Sequence, residues 1–329
     1  MLRKICIALG LLLCAPAWAQ TGVAPAIEAA PDKVLVIGQR PGPGLWKISK
    51  GEHVLWVFAS YSPLPEKMQW RSQQVEAILA QSQLYLAAPS AGTSVGVWDA
   101  MKLLPHAMGM RKNPGGAKLR DVVAPDVYAR WLALKAKYGV SDDTESERPI
   151  FAAETLYRAG LQHAGLSTGD EVRKAIQQLV AKNKIKVMRS NVVLEMPDPA
   201  GTLKQFKKGS IDDAACFAKT IERLESDIDA MRVRANAWSK GDLTLMRTLS
   251  FADREGACKS AMESSAAIKN GMGLDGARQR MRKLWLEAAE HALANHATSF
   301  AMLRLHEILA DDNLIAALQA KGYTVQAPD

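Results

Sequence analysis

The amino-acid sequence predicts an α/β fold in which short strands from both chain ends share a core and a mostly helical middle is inserted between them. Three observations carry this. A dense strand-like stretch, Leu45 to Pro65 (LWKISKGEHVLWVFASYSPLP), lies near the start, and a short strand candidate, Tyr323 to Val325, lies near the end. Between them, over about residues 119–295, apolar residues recur mostly at helical spacing. Strands at both ends can bury their faces only by packing into one common core.

The first residues read as an export signal. Arg3 and Lys4 precede a short apolar run, Ile5 to Leu13, and Ala17-Trp18-Ala19 matches a small-x-small cleavage pattern. The run is too short to span a bilayer, and Leu13 occupies the place where a lipoprotein pattern through Cys14 wants a small residue. Cleavage is therefore expected after Ala19, with residues 20–32 a flexible leader and 33–329 a single domain. No later segment approaches the length of a membrane helix. Cleavage removes two basic residues and no acidic ones, leaving 40 basic against 34 acidic residues, a net charge of +6. That balance favours anionic surfaces such as acidic polysaccharide or lipid headgroups, with solubility alone the simpler account; export argues against nucleic acid. Apolar residues at 48% and charged residues at 23% exclude a chain that is disordered throughout. Cys6 and Cys14 leave with the signal. Cys216 and Cys258 remain as an even pair in an oxidising compartment, which makes a disulfide the default expectation and two buried free thiols the alternative.

Taken in order, Asp32 to Gly38 reads as a short buried strand. Trp46, Ile48, Val54, Trp56 and Phe58 then form a hairpin across Lys50-Gly51. Pro63 and Pro65 are expected to bar further pairing and to start a helix at about Glu66 that runs to Gln81. Gln83 to Ala87 is a strand candidate. Pro89 to Gly116 is irregular, with a short helix near Trp98 to Leu104. Leu119 to Tyr138 is one helix by period, followed by an acidic loop, Ser141 to Glu147, in which Asp142-Asp143-Thr144 reads as solvated rather than cation-binding. Pro149 opens a helix that Gly165 ends. Helices follow at Asp170 to Asn183 and, as the longest pattern, Ile211 to Trp238, with a strand at Ile185 to Met188 and a break at Pro197, Pro199 and Gly201. Shorter helices lie at Gly241 onward and Ala252 to Ile268, and a basic amphipathic helix at Ala277 to Asn295. Thr298 to Leu305 fits strand and helix equally, and Asp311 to Lys321 is a helix closed by Gly322.

The two ends carry a resemblance. Leu45-Trp46-Lys47-Ile48, then Val57-Phe58-Ala59-Ser60-Tyr61-Ser62-Pro63-Leu64-Pro65, is similar to the opening of the TraB/GumN family, related to Tiki-type metal-dependent proteases, in which a strand ends GTxHxLP. Ser299 to His306, the helix after it and Gly322-Tyr323-Thr324-Val325 are similar to its closing GxxH, helix and GY-x-V strand. The resemblance implies a TraB/GumN-like fold. Active members are thought to hold a divalent cation with two His and one Glu. Here Ala59 stands for the first motif's Gly and Ser62 for its His. The acidic position falls near Ala87 or Ala88, Leu303 replaces the second motif's Gly, and only His306 matches. A catalytic metal needs about three protein donors, and a hydroxyl is a poor ligand for a borderline cation. The resemblance thus argues for the fold and against the chemistry.

The remaining chemistry is sparse. His53, His106, His163, His291 and His296 show no ligand spacing, and His291 and His296, five apart on a helix, are expected on different faces. His306-Glu307 lacks the second His of a zinc-protease helix. Ser62 with His306 is the one nucleophile and base pair to weigh, without an evident acid. Seven tryptophans remain after cleavage, such as Trp56, Trp131 and Trp285, and they read as core rather than sugar platforms. The expectation is an exported, periplasmic or secreted, non-catalytic protein. It has no cofactor or bound metal and acts on an envelope protein or anionic ligand. A hydrolase on the same scaffold, metal-dependent or using Ser62 with His306, is the alternative.

Overall fold

The computed structural model describes residues 43–168, 171–226, 228–248, 254–274, 276–310 and 312–328. The signal, the leader and the strand expected at Asp32 to Gly38 lie outside these residues. The described strands are β1 (Leu45–Lys50), β2 (His53–Ser60), β3 (Leu64–Pro65), β4 (Leu84–Leu86), β5 (Ser90–Thr93), β6 (Leu166–Ser167), β7 (Lys186–Met188), β8 (Asn191–Leu194), β9 (Thr298–Arg304) and β10 (Thr324–Gln326).

β1 and β2 form the expected hairpin, with Leu45 opposite Phe58 and Lys50 opposite His53. Gly51 takes the positive φ of 58° that the tight turn requires and that a side chain would oppose. The hairpin belongs to a six-stranded sheet of order β10-β1-β2-β9-β4-β7. Strands from the two chain ends are therefore neighbours, and both ends share one core. β10 and β1 pair antiparallel, whereas β2, β9, β4 and β7 run parallel. Because β7 comes from the middle of the chain, the insertion is not purely helical. The ambiguous segment at Thr298 is a strand: between β2 and β4 it is buried on both faces, which explains its continuous apolar run. Phe300 stacks between Phe58 and Tyr85 with ring centroids 6.3 Å from each. The helix Ala277–Asn295 buries Trp285, Ala289 and Leu293 in the same core. A second core forms among the helices Pro125–Tyr138, Pro149–His163 and Ala214–Ser226, around Trp131, Leu156, Phe217 and Leu224. Cys216 and Cys258 form a disulfide that joins the helix Ala214–Ser226 to the helix Arg254–Ser264.

Several expectations need correction. The prolines do not end pairing: Pro65 pairs with Leu166 across β3 and β6, where it needs no ladder N–H because the pair is only two residues long. The helix expected from Glu66 begins instead at Gln73, since the Glu66 amide donates to the Gly165 carbonyl and Met68 and Trp70 pack on the core from an irregular segment. Leu119 to Tyr138 is two helices, Leu119–Val122 and Pro125–Tyr138, because Pro125 lacks the N–H that would continue the first. The long pattern from Ile211 is described as helices Ala214–Ser226 and Ile228–Ser239. The break at Pro197 to Gly201 is in fact the start of the helix Pro199–Lys208, with Asp198 accepting from the Gly201 amide. Pro at the first turn is a start signal there, not a stop. His291 and His296 are not separated: their rings lie 6.1 Å apart, because the helix stops at Asn295 and extended backbone at His296 turns its ring back.

Candidate functional site

In open sheets with parallel strands, ligands bind beyond the carboxyl ends of the strands. The carboxyl ends of β2, β9, β4 and β7 all face one edge here. From this edge the chain runs on into the motif positions singled out in the sequence. Ala59 and Leu303 are direct cross-strand partners, and Ser60 pairs with Arg304. Three residues beyond each partner come Ser62 and His306. β4 ends at Leu86 opposite Ala301, so Ala87 and Ala88 follow at the same edge.

The local packing closes this edge instead of opening it. Ala59 and Leu303 are fully buried. Trp238, from the helical insertion, is buried over them and donates its indole N–H to the Ala59 carbonyl at 2.7 Å. Its ring meets Phe58 edge-on, with centroids 6.1 Å apart, and lies 6.4 Å from Trp70. Ser60 donates its hydroxyl to the Leu303 carbonyl at 3.1 Å, tying the two strand ends. The Ser62 hydroxyl is exposed and donates to the Thr168 carbonyl at 2.7 Å. His306 is exposed on the short helix Leu305–Leu309, whose start is capped by Glu307 accepting from the Arg304 amide. Tyr85 lies under the edge; burial pushes its phenol up to about 12, with the charge of Arg173 opposing, so it stays protonated at neutral pH. Beside Trp70 a cleft of about 310 Å³ is walled by Ser72, Glu76, Gln178, Leu179 and Lys182.

The order of the strands and the pairing of the two motifs agree with a wider comparison: the model of the TraB/PrgY/gumN family matches residues 44–327. The chain belongs to the TraB/PrgY/gumN family. No curated protein and no solved structure matches it. The family match spans the hairpin, the insertion and the closing strands, and so includes the middle that carries no motif.

The donor positions that the resemblance assigns do not fit a catalytic divalent ion. Ser62 offers a hydroxyl already bonded to Thr168, Ala87 and Ala88 offer none, and His306 offers one imidazole. Among the described residues, no group of three or more His, Cys, Asp or Glu side chains is placed to hold a metal. Sequence reasoning missed Trp238 as a part of this site. The signal was available: it ends the apolar stripe Phe217, Ile221, Leu224, Ile228, Met231, Ala235, but nothing local says which strand end it covers.

Proposed function

We propose that the protein works in the cell envelope as a non-catalytic member of its family that binds an envelope protein or an anionic ligand. The observation that carries this reading is the donor chemistry at the strand ends. A metal that activates water needs about three fixed protein donors and one open position, and His306 is alone there. Ala59, Leu303 and Trp238 fill the strand ends themselves. The cleft beside Trp70 offers a ligand an aromatic wall together with the Lys182 ammonium and the Glu76 carboxylate. Export with cleavage after Ala19 puts the chain in the periplasm or outside the cell. The Cys216–Cys258 bond supports an oxidising compartment. No described helix is long and apolar enough to cross a membrane.

Elemental analysis of protein purified without chelator or affinity tag tests the reading. The expected result is substoichiometric manganese, cobalt and zinc, no metal-dependent peptide hydrolysis, and no activity gained by Ser62→His alone. Stoichiometric metal that is lost in His306→Ala overturns it and promotes the hydrolase. A serine hydrolase is the second reading, favoured by β2 and β9 carrying Ser62 and His306 to one edge. The hydroxyl proton of Ser62 is committed to Thr168 rather than to an imidazole, so we expect no labelling by a fluorophosphonate probe. Labelling that disappears in Ser62→Ala establishes the serine reading instead.

A further inference from the structure

Among the described residues both cysteines, Cys216 and Cys258, are closed in a disulfide, so neither offers the thiolate that an oxidant attacks first. The thioether sulfur of methionine is the next target, and its reaction depends on whether the oxidant can reach it. Met231 and Met246 are fully buried and Met302 is 6% exposed. The Met231 sulfur also accepts from the Tyr157 hydroxyl at 3.9 Å. The other described methionines are half-buried, save two: Met101 is 55% exposed and Met108 74%.

These two methionines share one stretch. The helix Val97–Ala107 half-buries Leu103 and Ala107. On its other side Trp98, Met101, Leu104 and, just past the helix end, Met108 follow one another three or four residues apart, and all four are exposed. Met101 and Met108 thus supply half of the large apolar side chains on that face. Neither belongs to a buried cluster, so an added oxygen disturbs no packed contact. With a peroxide as oxidant the step balances. The sulfur lone pair takes one peroxide oxygen, the O–O bond breaks, and the other oxygen leaves as water or alcohol after proton transfer. Sulfur loses two electrons and the peroxide gains them. The flexible apolar side chain becomes a polar, chiral sulfoxide.

We propose that Met101 and Met108 are the sites at which peroxides modify the folded protein, and that their conversion to sulfoxide turns this helix face from apolar to polar while the fold stays intact. The proposal is independent of what the strand ends bind. Peptide mass mapping of the purified, disulfide-bonded protein during exposure to dilute hydrogen peroxide tests it. Sulfoxide is expected at Met101 and Met108 at least about tenfold faster than at Met231, Met246 and Met302, and the difference should vanish in urea. When only the exposed pair has reacted, the circular dichroism melt should match that of untreated protein. Retention on a hydrophobic-interaction column should fall at the same stage and return after treatment with the two methionine sulfoxide reductases, one for each sulfoxide epimer. Met101→Leu/Met108→Leu keeps the face apolar at nearly constant volume, and its retention should not change over the same exposure. Oxidation of Met231, Met246 or Met302 as fast as the pair overturns the proposal, as does protection of the pair to the level of those three. A lowered melt, or unchanged retention, with only the pair oxidised overturns it too.

Discussion

Breaking the Cys216–Cys258 bond is the perturbation with the best-defined magnitude. The bond closes a loop with a sequence separation of 42. Constraining a loop of that size removes enough entropy from the unfolded chain to stabilise the fold by about 4 kcal/mol. Other contacts hold the helix Arg254–Ser264 in place in the folded state. Arg254 donates to Glu154 at 2.7 Å and to the Thr220 hydroxyl at 3.1 Å, and its guanidinium lies 4.0 Å from the Tyr157 ring centroid. Reduction should therefore leave the native packing in place and act on the unfolded state. The assay is reversible urea unfolding of the wild type with and without reductant, which keeps the side chains identical and isolates the crosslink. The expected loss is about 4 kcal/mol, or roughly 8 °C in Tm at about 2 °C per kcal/mol for a chain of this size. Cys216→Ala/Cys258→Ser should lose slightly more, because Cys216 is fully buried and its sulfur is also removed from the core. A difference below about 1 kcal/mol between oxidised and reduced wild type would refute the unfolded-state argument. Thiol labelling of the unreduced, denatured protein should find no free cysteine.

Three further outcomes follow from single contacts. Burial opposes the charge of Glu145, but hydrogen bonds from Lys135, Trp131 and Tyr128 outweigh it and hold its carboxyl below 4.5. Its contribution is therefore present above pH 4.5 and lost as pH falls through the lowered folded value. Glu145→Gln should cost about 1–3 kcal/mol at pH 7 and progressively less in acid, and a cost that persists unchanged in acid would count against this. Trp238→Phe keeps most of the ring but orphans the buried Ala59 carbonyl, at an expected cost of about 1–3 kcal/mol in urea unfolding; a neutral substitution would mean that this hydrogen bond does not close the strand ends. N-terminal sequencing of the protein recovered from the medium or periplasm should begin at Gln20, and a full-length cytoplasmic product would rule out the signal.

Local patterns made much of the architecture legible. The alternation of Trp46, Ile48, Val54, Trp56 and Phe58 around Gly51 specified a hairpin, and the helix Ala277–Asn295 has the bounds its periodicity predicts. Reading failed where a residue's local preference has two uses. Pro65 and Pro199 both looked like stops. One sits in a two-residue pair where its missing donor is not needed, and the other fills the first turn of a helix. Pro125 does not show as a break in the sequence, because the apolar period of Val123, Val127 and Trp131 continues across it. β5, with the sequence SAGT, has almost no strand propensity and exists only because β8 pairs with it.

By itself the sequence determined the α/β class, the joining of the two chain ends, the pairing of the only cysteines beyond residue 19 and the absence of a His or acidic side chain at Ser62, Ala87 and Ala88. These depend on residue identity and short-range periodicity, which a linear chain displays directly. Tertiary structure alone decided that Ala59 and Leu303 face each other across β2 and β9, that Trp238 caps them, and that Trp98, Met101, Leu104 and Met108 stay in water. Each of these depends on which surface meets which, over separations such as the 179 residues between Ala59 and Trp238. An amphipathic pattern states that a helix has an apolar face, but only the packed neighbours reveal whether that face is turned toward the core or away from it.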